Sequence, residues 1–158
     1  MKLSKRKTES LAKGIASTKR MSIEEIIEAD QENNNSETQL DVVKDRFVEL
    51  VKRNGMTLAR SNNTVMLFKA LQNDPSTALF HTVNADKPQV YVINMYTLFA
   101  NLAQLGFTAA ITYFDSTTVS KFIDKYLAQI GNVYDSDQPN LGQYEFEVDL
   151  TIFKEGAA

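Results

Sequence analysis

The chain has 158 residues, of which 43% are hydrophobic and 23% charged, with a net charge of −3 at pH 7. These values predict one globular domain, burying roughly two-thirds of its unfolded surface, with chain left over for a tail. Cysteine is absent and His81 is the single histidine, which excludes disulfides, thiolate chemistry and zinc sites built on several histidines. A Ser-His-Asp triad would have to use His81, and no spacing supports one. No apolar run approaches the roughly 20 residues that cross a bilayer, and the lysine-rich start lacks the apolar segment of a secretory signal. The expected place of action is inside a cell, or in a particle assembled in one.

Charge is unevenly distributed. Lys2, Lys5, Arg6, Lys7, Lys13, Lys19 and Arg20 stand against Glu9 alone in residues 1–20, a net of +6, and the remainder carries −9. A basic arm on an acidic body suggests a tether to nucleic acid or to a partner, because each cation set on a phosphate releases counterions. The alternative is a solvated terminus, or one that settles on the acidic body. Residues 1–36 read as a basic then acidic arm with one short helix, and residues 37–158 as the folded domain.

Within the arm, "SIEE" at Ser22 to Glu25 has the form of a capping box, and Ile23, Ile26 and Ile27 make a narrow apolar stripe. The asparagine-rich "ADQENNNSE" that follows reads as a linker. A second capping box, Ser36 to Gln39, opens a predicted helix over about 39–54, whose face is Leu40, Val43, Phe47, Leu50 and Val51 and whose end is Gly55. "MTLAR" and "TVMLFKAL" flank the turn sequence "SNN", and "NDPS" separates them from "TALFHTVNA", which predicts a meander of three antiparallel strands. Leu98, Phe99, Leu102 and Leu105 predict a helix ending at Gly106, and "FTAAITYF" a strand buried on both sides. Asp115 or Ser116 is placed to cap the next helix, with Val119, Phe122, Ile123, Tyr126, Leu127 and Ile130 inward and Gly131 closing it. The chain finishes as a hairpin around "QPNLG". In "QYEFEVDLTIF", Tyr144, Phe146, Val148, Leu150 and Ile152 alternate with Glu145, Glu147, Asp149 and Thr151.

Helix, three strands, helix, strand, helix, two strands is a specific order. It resembles the GCN5-related N-acetyltransferase fold, an α+β, acyl-CoA N-acyltransferase-like mixed sheet flanked by helices, here lacking the first strand and helix and carrying a basic N-terminal arm. The likeness covers roughly residues 38 to 153. It is strongest in "AAITYFDSTTVSKFIDKYLAQIGNVY", which looks like the family's strand, Asn or Asp, helix, Gly, strand ending.

The resemblance implies a Gln/Arg-x-x-Gly-x-Gly/Ala loop whose amides receive the pyrophosphate of coenzyme A at a helix N-terminus. The nearest equivalent is Gln89 to Asn94, with Val92 and Asn94 where the small residues belong, so no cofactor is expected. His81 lies in the strand from which the family often projects a general base, and Tyr126 in the helix that supplies its tyrosine acid. A strand residue with an ordinary partner and a core or rim tyrosine are the competing roles. The "EFEVD" carboxylates diverge along a strand and suit a solvated face better than a cation, so no metal site is expected. Phe80, Tyr91, Tyr96, Phe99 and Phe107 are not interleaved with cations and read mainly as core.

Small virion proteins of short-tailed bacteriophages include acetyltransferase-like components without the cofactor loop. The chain is similar to them in size and in "FHTVNADKP" followed by helix and "TYFD". That resemblance implies a non-enzymatic virion structural protein, internal, ejected or head/tail-associated, acting as a docking module. Its expected partners are other phage virion proteins, in several copies, and DNA through the arm; its expected location is the virion, and the host cytoplasm during assembly. The competing readings are an acetyltransferase with an atypical cofactor loop and a host-directed phage effector.

Overall fold

The computed structural model describes residues 20–33, 40–115 and 117–156. Along them run α1 (Ile23–Asn33), α2 (Leu40–Lys52), β1 (Thr57–Ser61), β2 (Thr64–Ala70), β3 (Thr77–Asn84), α3 (Pro88–Gln104), β4 (Ala109–Phe114), α4 (Thr117–Tyr126), β5 (Gly131–Asp135), β6 (Tyr144–Asp149) and α5 (Thr151–Gly156). The strands form one six-stranded sheet in the order β1-β2-β3-β4-β6-β5. β1 pairs antiparallel with β2, β3 parallel with β4, and β4 and β5 antiparallel with β6. This is the mixed α+β sheet with helices expected from the sequence. Two helices and no strand precede β1 among the described residues.

The described residues divide into two compact units, one formed by residues 20–33, 40–69 and 81–98, the other by residues 70–80, 99–115 and 117–156. In the first, Ser22 caps α1: its Oγ accepts from Glu25 N at 3.1 Å while Glu25 returns a carboxylate to Ser22 N at 3.1 Å. Ile26 and Ile27 are buried, each contributing about 1.5–3 kcal/mol of apolar transfer. α2 ends where the sequence places Gly55, whose φ of 67° lets Met56 N reach Leu50 O at 3.1 Å. Thr64 to Phe68 of β2 are buried without alternation, the signature of a strand covered on both faces.

In the second unit the β3–β4 ladder joins Thr77, Ala78 and Leu79 to Ala109, Ala110 and Ile111. Phe99 lies against Phe80 edge-on at 5.4 Å and against Phe153 at 6.1 Å, the offset geometry that ring quadrupoles favour. The alternation of the last strand holds: Phe146, Val148 and Leu150 are buried while Glu147 and Asp149 are exposed.

Two local expectations are corrected here. Gly131 does not close α4, which ends at Tyr126; it starts β5, where a Cβ would stand 2.3 Å from Glu147 O and 2.7 Å from the Phe146 ring. The last strand stops at Asp149, because that carboxylate turns back on Thr151 N (3.0 Å) and Thr151 Oγ1 (2.6 Å) and starts α5. Of the two residues expected to cap α4, Asp115 accepts from Gln143 N at 2.6 Å, tying the end of β4 to the start of β6, and Ser116 lies outside the described residues.

Candidate functional site

Only Ala85, Asp86 and Lys87 separate β3 from α3, and polar side chains hold this short junction in place of glycine. Asn84 and Asp86 grip each other: Asn84 Nδ2 donates to Asp86 O at 2.8 Å, and Asp86 N donates to Asn84 Oδ1 at 3.0 Å. The same Asn84 Oδ1 accepts from Thr64 Oγ1 at 2.7 Å, and Asp30 of α1 accepts from Asn84 N at 2.9 Å. Asn63, in the β1–β2 turn, takes Ala85 N on its carbonyl at 2.9 Å. Turn and junction are thereby fixed to one another.

The Asp86 carboxylate points inward and is only 8% exposed. Its Oδ2 accepts from Asn63 N at 2.9 Å and Asn94 Nδ2 at 2.8 Å, and its Oδ1 from Asn63 Nδ2 at 3.3 Å. These donors are neutral, and several of them are needed to offset the desolvation of a buried carboxylate. Asn94 is fully buried and saturated: its Nδ2 also donates to Thr64 Oγ1 at 2.8 Å, and its Oδ1 accepts from Asn62 Nδ2 at 2.7 Å and Ser61 Oγ at 3.3 Å. Arg60 completes the turn, donating to Asn62 O at 2.6 Å, to Asn63 Oδ1 at 3.0 Å and to Met21 O. Burial lowers the Arg60 pKa, the neighbouring Arg20 lowers it further, and Asp86 partly restores it.

At the start of α3, Pro88 has no N–H to lose and Tyr91 N donates to Lys87 O at 2.8 Å. The amides of Gln89 and Val90 precede the first helical hydrogen bond and carry the positive end of the helix dipole, with the exposed Lys87 beside them. Gln89 to Asn94 is therefore helix, not a loop. Val92 is 5% exposed and Asn94 0%, so neither stands where a phosphate would approach, and the obstruction expected of them is corrected.

The other candidate residues lie on different elements. His81 is half-buried in β3, with its pKa lowered by burial and then by Lys69. Tyr91 bonds Thr82 at 3.0 Å between hydroxyls, and burial pushes its pKa up to about 12. Tyr126 closes α4 half-buried, its ring 5.0 Å from Phe122 and 5.1 Å below Lys125 Nζ. Lys2, Lys5, Arg6, Lys7, Lys13 and Lys19 lie outside the described residues; Arg20 is described and exposed. Phe80 and Phe99 are core, while Tyr91, Tyr96 and Phe107 are half-buried. Among the described residues no group of three or more His, Asp or Glu is placed to hold a metal ion, and no helix is long and apolar enough to cross a membrane.

Sequence reasoning missed the Asn63–Asp86–Asn94 network. Asn63 and Asp86 read as ordinary turn residues, and the one available signal was Asn94, a polar residue within a helix otherwise rich in Val, Ile, Leu and Met.

No family model and no curated protein matches the chain. Among solved structures it aligns with a mutant of the spermidine N-acetyltransferase SpeG from Vibrio cholerae, at a TM-score of 0.42 and 9% identity, covering 89% of this chain and 98% of that one. The aligned protein is an acetyltransferase and not a virion protein. On that finding the expectations of a non-enzymatic phage virion protein and of no enzyme are corrected.

Proposed function

We propose that the chain is an acyltransferase with an atypical donor loop, one that is braced by Asn63, Asp86 and Asn94 where the family it resembles uses glycine. The observation that carries this reading is the β3–α3–β4 crossover: within a sheet of acyltransferase order, a helix with unpaired first amides begins three residues beyond a strand. An anion is stabilised at such a terminus by converging N–H groups and by the helix dipole.

Coenzyme A is the group this fold implies, and the residues present fit one of its phosphates. The Gln89 and Val90 amides and the Lys87 ammonium would hold it, while the charge of Asp86 is engaged inward by Asn63 and Asn94. Bound as its acyl thioester, coenzyme A would supply the activated acyl group and leave as the free thiol. His81 is the proton acceptor for an amine nucleophile in this reading, since its lowered pKa leaves the imidazole neutral at pH 7.

The test is calorimetry with acetyl-CoA. Saturable binding below about 1 mM, weakened about tenfold by Lys87→Glu, is the expected result. A folded chain giving no binding heat across that range would refute it.

A further inference from the structure

Among the described residues the sheet ends at β5, and the pairing with β6 shows which backbone groups that edge leaves open. Ser136 N donates to Gln143 O and Asp149 N to Ile130 O, each at 3.0 Å, and between these points Gly131 to Asp135 pair with Val148 to Tyr144. In an antiparallel ladder the residues that exchange hydrogen bonds alternate. Asn132 and Tyr134 therefore bond inward to β6, while the N–H and C=O groups of Val133 and Asp135 face away from the sheet. Neither Lys nor Arg occurs in residues 126–153, which carry Asp135, Asp137, Glu145, Glu147 and Asp149. An exposed edge of this kind accepts another strand.

The side chains beside the edge have a defined chemistry. Asn132 pairs with Glu147 and Tyr134 with Glu145 across the ladder, so these four share one face. On it opens a groove of about 300 Å³ lined by Gln129, Asn132, Tyr134, Glu147, Asp149 and Ile152. Tyr134 and Ile152 are 48% and 37% exposed and offer an apolar wall to a methylene stem. The Glu147 carboxylate beside them suits the cationic head that such a stem carries. The acidity extends to neighbouring groups: Tyr113 is held up at about 12, first by partial burial and then by Glu145 and Asp137.

We propose that β5 is a docking edge for an extended basic segment of a partner protein, which adds as a seventh strand and places a lysine or arginine in the Tyr134–Glu147–Ile152 groove. Charge selects this occupant. A second copy of the chain would bring two uncompensated acidic hairpins together, and like charges across paired strands are destabilising. None of these residues belongs to the acyl-transfer site proposed above.

The test uses the full chain and a fluorescent peptide of about eight residues alternating lysine with valine or threonine, followed by anisotropy. Saturable binding is expected, together with at least tenfold loss, on the order of 1.4 kcal/mol, when alternate peptide residues are proline or when the protein carries Glu147→Lys. Val133→Pro removes an outward N–H without touching the β5–β6 ladder and is expected to give the same loss. Hydrogen exchange on the unaltered chain provides a readout that does not depend on how the variants fold: peptide should slow exchange of the Val133 and Asp135 amides. Equal binding of the proline-containing peptide, unchanged exchange at these two amides, or their protection in a dimer without peptide would each overturn the proposal.

Discussion

Asn94 donates its Nδ2 to Asp86 Oδ2 over 2.8 Å, so a residue inside α3 holds the carboxylate that lies just before the same helix. Because Asn63 N donates to the same oxygen and Asn63 Nδ2 to Asp86 Oδ1, the β1–β2 turn, the β3–α3 junction and the helix form one polar unit. A half-satisfied network of this kind is worse than an apolar one, which is why each member is sensitive to replacement.

Asn94→Leu removes one of the three donors to Asp86 and leaves the Asn62 amide without its acceptor. Stability should fall by about 2–4 kcal/mol in urea unfolding. Asp86→Asn relieves the buried charge but turns an amide N–H toward a donor that now faces a carboxylate oxygen, so it should cost about as much as Asn94→Leu. A loss less than half as large would mean that the buried charge, not the donor count, sets the cost.

Gly131 and Gly55 should respond differently to alanine. At Gly131 the added Cβ would meet backbone, Glu147 O at 2.3 Å, so the β5–β6 ladder must part locally, and about 2–3 kcal/mol is expected. At Gly55 nothing lies within 4 Å and the cost is that of a positive φ alone, about 1 kcal/mol. Thermal unfolding of the two variants checks the ranking.

His81 and Tyr91 place opposite limits on stability. The folded pKa of His81 is below its ordinary 6.5, so the folded state binds the proton less readily than the unfolded one. The contribution is full above 6.5 and declines as pH falls through the folded pKa. Tyr91 is raised from 10.0 to about 12; its contribution is full below pH 10 and is lost as pH rises through 12. Unfolding free energy measured against pH should bend downward in both directions, with His81→Gln flattening the acid limb and Tyr91→Phe the alkaline one.

His81→Ala also separates stability from chemistry. If His81 accepts the proton from the nucleophile, a folded His81→Ala chain should bind acetyl-CoA with unchanged affinity and lose about 100-fold or more in acyl transfer. Retained transfer would remove His81 from that role.

The sequence by itself determined what depends on neighbours along the chain. Ser22 and Glu25 specify a capping box, Gly55 and Gly106 accept the positive φ that ends α2 and α3, and alternation from Tyr144 to Leu150 sets one face of β6 inward. These are short-range preferences of backbone and side chain, and together they gave the element order and hence the sheet. Only the tertiary structure decided what depends on residues distant in sequence. Asn94 reads as an obstruction in a loop until Asp86, Thr64 and Asn62 surround it; Gly131 reads as a helix terminator until Glu147 O leaves no room for a Cβ. A polar side chain or a glycine can satisfy several local patterns equally well, and the choice falls to whichever donor, acceptor or backbone the fold brings within contact distance.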